Sequence, residues 1–123
     1  MAAAARIDPA HDPLTAALGI VDELEEICEG DATSLAGSLS KINSKIRRLD
    51  THAKTLQTFL PGQRAAISSQ MHNLKDTVSG FVQYEKTAAN RRGVDHYMDR
   101  GEAAERLRSA VDRAATFFRS IRY

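Results

Sequence analysis

Apolar residues recur in this chain at two positions in every seven. Leu35, Leu39, Ile42, Ile46, Leu49, Ala53, Leu56 and Leu60 are spaced 4, 3, 4, 3, 4, 3, 4. This is the period that keeps one face of an α-helix buried against a neighbour. Lys41, Lys45, Arg47, Arg48, Asp50 and Lys54 fall between them and read as a solvated face. The pattern predicts a helix over about 34–60, roughly 40 Å long at 1.5 Å per residue. Pro61-Gly62 then interrupts it, because proline disfavours helical backbone at Leu60 and glycine permits a reversal. The repeat resumes at Ile67, Met71, Leu74, Val78 and Phe81, with Glu85 as a fault and then Ala88. Two long helices, about 34–60 and 64–90, joined by a short turn should pack as an antiparallel hairpin. A kinked continuous rod has the same periodicity.

The flanks are also helical. Residues 1–13 read as an arm, since Asp8-Pro9 and Asp12-Pro13 hold their first members out of the helical region. A helix over about 14–29 carries the stripe Leu14, Leu18, Val21, Leu24 and Cys28, with Asp22, Glu25, Glu26 and Glu29 opposite. Gly30 is a stop and Asp31 a cap for the next helix. Asn90-Arg91-Arg92-Gly93 is a second break, followed by a short turn of helix over about 94–99. A last helix over about 102–122 carries Ala103, Leu107, Ala110, Ala114, Phe117 and Ile121. No segment alternates with period two for more than a few residues, so no strand is predicted. The expected fold is all-α: a long antiparallel coiled-coil hairpin with a short additional helical bundle, in one domain over 14–123. Val82, Tyr84, Met98, Phe118 and Tyr123 fall off the main stripes. They form either a second contact face or a wider buried stripe.

Composition narrows the chemistry. The 123 residues carry a net charge of +1, 42% hydrophobic residues and one cysteine. The near-zero charge offers no overall field for nucleic acid or an anionic membrane. No stretch is long and apolar enough to span a bilayer, and the run before Arg6 is too short for a secretory signal. A lone Cys28 excludes a disulfide framework and fits a reducing compartment. Charge is uneven, with 6 Lys/Arg against 9 Asp/Glu in residues 1–60 and 11 against 7 in residues 61–123. The acidic first helix therefore either folds back on the basic C-terminal half or attracts a partner.

No residue set reads as catalytic or metal-binding. His11, His52, His72 and His96 lack a second ligand at metal spacing, and His72 with Asp76 is one pair only. Cys28 has no base within its own helix and reads as a small buried residue. The carboxylates Asp22, Glu25, Glu26 and Glu29 follow a helix, unlike the irregular turn of a Ca²⁺ loop. Arg106, Arg108, Arg113, Arg119 and Arg122 are diluted by Glu102, Glu105 and Asp112. The expectation is a non-enzymatic chain without cofactor or metal. It would bind other proteins, with no nucleic acid and no direct membrane insertion; the seam Leu35, Leu39, Ile42, Ile46, Leu49, Leu56, Leu60, Ile67, Met71, Leu74, Val78 and Phe81 is core, either wholly internal or shared with a partner helix. Homo-association through an exposed seam is part of that expectation.

From about Leu39 to Ile121 the chain resembles the N-terminal region of the seventy-kilodalton exocyst subunit family. The resemblance is carried by Ile42–Asp50, by Asn73-Leu74-Lys75-Asp76-Thr77-Val78 running on to Phe81 and Tyr84, by Tyr97–Gly101, and by Leu107, Val111 and Phe117-Phe118. It is a match of order and spacing. Pro61-Gly62 departs from it, since that family usually continues a helix there. The resemblance implies a cytoplasmic subunit of a vesicle-tethering complex acting in exocytosis, peripheral at vesicle or plasma-membrane tethering sites. The family's basic lipid-binding surface lies beyond the resembling region and does not carry over. The alternative expectation is the N-terminal regulatory bundle of a syntaxin-type membrane-fusion protein, which has the same heptad period.

Overall fold

The first helix starts where its cap dictates. Asp12 accepts hydrogen bonds from the Leu14 amide at 3.1 Å and the Thr15 hydroxyl at 2.8 Å, and Pro13 occupies the first turn, where no amide is needed. The computed structural model describes residues 12–88 and 94–122, with side chains over 12–87 and 100–122. Helix α1 spans Pro13–Ile27, α2 Ala32–Gly37, α3 Leu39–Phe59, α4 Arg64–Ala88 and α5 Val94–Ser120, with a 3₁₀ turn at Pro61–Gln63. The described residues form no strand. The arm before Asp12, the break at Asn90–Gly93, His11 and Tyr123 lie outside the described residues, as do the side chains of His96 and Met98.

The turn at Pro61 forms as the sequence predicts. Leu60 leaves the helix at φ −128°, ψ 69°, and its amide still donates to the Leu56 carbonyl at 2.8 Å. The chain reverses there: Lys75 of α4 reaches back to Asp50 of α3 at 2.9 Å. This excludes a continuous rod. Glu85 and Arg100 pair in the same way across α4 and α5. Arg119 near the end of α5 pairs with Asp22 of α1, while Arg108, earlier on α5, reaches Cys28 and Gly30 past the end of α1, so these two helices are also antiparallel. α1 packs against α3 and α5, and α4 against α3 and α5, which closes a ring. The result is an up-down-up-down four-helix bundle. The predicted hairpin is one half of it.

Two predicted boundaries move. The helix expected over 34–60 breaks at Ser38, whose amide donates to the Leu35 carbonyl at 3.0 Å before α3 begins. Gly37 and Ser38 are weak helix formers, and the break lets α2 turn across the end of the bundle. Leu35, fully buried, plugs that end against α3, α4 and α5. In contrast, the separation expected between 94–99 and 102–122 is absent, since α5 runs unbroken through Gly101. One glycine costs a helix about 1 kcal/mol, which the burial along α5 outweighs.

The core is a single cluster drawn from all five helices. It includes Leu24 of α1, Leu35 of α2, Ile42, Ile46, Leu49 and Leu56 of α3, Ile67, Leu74 and Phe81 of α4, and Leu107 and Phe118 of α5. The stripe on α5 is wider than the predicted seam. Ala104, Val111, Ala115 and Phe118 are buried, whereas Ala103 and Phe117 are only partly so. A helix facing two neighbours in a closed bundle needs this broader face.

Candidate interaction surface

The predicted seam residues lie inside the molecule. Leu35, Leu39, Ile42, Ile46, Leu49, Leu56, Ile67, Met71, Leu74, Val78 and Phe81 are buried, and Leu60 is partly buried. They hold the chain's own helices together and offer no open seam to a partner. The expected second contact face also dissolves. Phe118 is fully buried, with its ring edge-on to Phe117 at 5.4 Å, while Val82 and Tyr84 are half-buried. What remains for contact is the outer surface. Among the described residues Phe59, at the end of α3, is the large apolar residue exposed there, at 50%. It sits off the seam and carries no sequence signal, because its exposure depends on where the hairpin turns.

Each neighbouring pair of helices is joined by charged side chains. Lys45 reaches Glu23 at 3.1 Å between α3 and α1. Asp50 takes Lys75 at 2.9 Å and Lys54 at 3.4 Å. Glu85 grips the Arg100 guanidinium with both oxygens, at 2.7 and 2.9 Å. Arg119 holds Asp22 at 2.7 Å and also binds Glu25. The acidic first helix thus folds back on an arginine of the C-terminal helix. Burial works to raise the Asp50 carboxyl, but hydrogen bonds and charge from Lys75 and then Lys54 hold it below its ordinary value. The hydrogen bonds from Arg119 to Glu25 and Asp22 hold its guanidinium proton more tightly still.

Arg108 makes a different contact. Its guanidinium donates to the Cys28 carbonyl at 3.0 Å and the Gly30 carbonyl at 2.7 Å. These carbonyls lie just past the C-terminus of α1, where a cation is favoured. Gly30 is needed nearby, because a Cβ there would stand 2.8 Å from the Ser34 hydroxyl. Cys28 is buried beside this contact. Burial pushes its thiol up to about 11, with Arg108 pulling it down and Glu25 raising it. The thiol is therefore protonated at neutral pH and a poor nucleophile.

The surface grooves are shallow. One between α4 and α5, of about 270 Å³, is lined by Thr77, Gly80, Tyr84, Glu102 and Arg106. Another between α1 and α5 contains Glu25, Cys28, Glu29 and Arg108. In the second, Cys28 lies beside the carboxylates Glu25 and Glu29, and burial keeps its thiol protonated. His72 is exposed and His52 half-buried. Among the described residues no three His, Cys, Asp or Glu side chains cluster as metal ligands, and no helix is long and apolar enough to cross a membrane. No family model, no curated protein and no solved structure matches this chain.

Proposed function

We propose that this chain is a non-enzymatic helical interaction module, a first bundle in the rod of an exocyst-type vesicle-tethering subunit acting in exocytosis. One observation carries the interaction reading: the seams are spent on an ion-paired, closed bundle, so a rigid outer surface is what the chain presents. The tethering assignment rests on the sequence resemblance in Ile42–Asp50, Asn73–Val78 and Phe117-Phe118. These segments form the α3–α4 hairpin and the end of α5. Assembly then proceeds through the outside of the helices and the ends of the bundle, with other protein subunits as partners. Closure of the bundle also favours the second reading, a regulatory bundle of a syntaxin-type fusion protein.

The test is affinity capture from the native cell extract with the folded chain as bait, followed by mass spectrometry. Joint recovery of several large helical tethering subunits is the expected result. Recovery of membrane-fusion helices instead supports the second reading, and recovery of neither rejects both.

A further inference from the structure

Two neighbouring helices carry opposite charge on one outward side of the bundle. Helix α1 holds four acidic residues and no basic one, whereas α3 holds five basic residues and one acidic. Most of the acids of α1 are neutralised within the fold, by Lys45 and Arg119. Among the described residues Glu26 is exposed and in no ion pair, while Glu29, just beyond the end of α1, lines the groove toward α5. On α3, Lys41 and Arg48 are likewise exposed and in no ion pair among the described residues. Lys41, Lys45, Arg48, His52, Thr55 and Phe59 step 4, 3, 4, 3, 4, a second stripe that ends in the half-exposed phenyl ring.

The two helices are antiparallel, with Glu23 against Lys45. At equal rise per residue, Glu26 stands within one residue's rise, about 1.5 Å, of the level of Lys41, and Gly19 within the same of Arg48. A Cβ at Gly19 would meet nothing within 4 Å, so there is room at that level for a long side chain. A two-fold axis parallel to the bundle exchanges left and right and preserves height. It lays α1 of each copy over α3 of the other, so that acid meets base at unchanged level. A uniformly charged partner would instead meet its like on one of the two helices. We infer that this face pairs with a second copy of the chain, in an isologous dimer in which Glu26 of each copy meets Lys41 of the other. Phe59 lies beyond the start of the other copy's α1 and closes the stripe.

Sedimentation equilibrium with charge-reversal variants tests this. Wild type dimerises at low salt, and its dissociation constant rises about tenfold as salt is raised to molar concentration, where screening shortens to about 3 Å. Glu26→Lys leaves only basic side chains free on that face, and Lys41→Glu with Arg48→Glu leaves only acidic ones, so each variant is monomeric alone. Mixed in equal amounts, the two form a heterodimer, because each supplies the charge that the other lacks. All three positions lie outside the ion pairs of the fold, and circular dichroism confirms an intact bundle before the mixture is read. A wild type that stays monomeric at low salt overturns the proposal, as does a variant that dimerises like wild type or a mixture that stays monomeric.

Discussion

At the scale of single residues, the least expected group is Arg108. In sequence it is one arginine among acidic neighbours, and nothing there says that it reaches two carbonyls some 80 positions earlier. It replaces solvent at the open end of α1 with two charge-assisted hydrogen bonds. Arg108→Ala should lower stability by about 1–2 kcal/mol in urea titration, while Arg108→Lys recovers part of it by keeping the charge. Cys28, in contrast, is legible in the sequence as a small buried residue. Its raised thiol also sets a pH dependence. The protonated form fits the fold, so its contribution holds below about pH 8, the lower edge of the ordinary thiol range. It is lost as pH rises toward 11.

At the scale of elements, caps and breaks follow local chemistry at Asp12, Gly30-Asp31 and Pro61, where the signal is a few adjacent residues. Gly101 does not, because the deciding interaction is burial along the whole of α5. Its Cβ position is open, so Gly101→Ala should stabilise the chain by about 0.5–1 kcal/mol, seen as a higher thermal midpoint. The α3–α4 hairpin also responds to acid. Asp50 is held below its ordinary value in the fold, so its contribution is present above about pH 4 and is lost as pH falls through the folded value. Asp50→Asn should cost up to about 1 kcal/mol at neutral pH. The gap from wild type should close in strongly acidic buffer, as read by denaturant titration at both pH values.

At the scale of the whole molecule, one apolar cluster spans all the helices, so the bundle should unfold as a unit. Leu49→Ala, at a fully buried position on α3, should cost about 2–5 kcal/mol and leave a single urea transition. Two transitions would show that α1 or α5 docks independently on the hairpin. Closure also explains why Phe118 falls outside the predicted stripe and yet is core. Two-in-seven spacing describes a helix with one neighbour, and Phe118 lies on the wider face that α5 turns to α1 and α4.

The sequence by itself determined the helical class, the break at Pro61 and which side of α3 and α4 is buried, because these depend on residues within a few turns of one another, whereas the reversal there was decided by the contact of Lys75 with Asp50. Only the tertiary structure decided that the seams close on themselves, that α2 plugs one end, and that α1 is held by Arg108 and Arg119. Periodicity shows that a face is covered and is silent on what covers it, since any helix of matching spacing satisfies the same pattern. The choice falls to long-range contacts: the fit of Leu35 into the end of the bundle and the pairing of charges far apart in the chain.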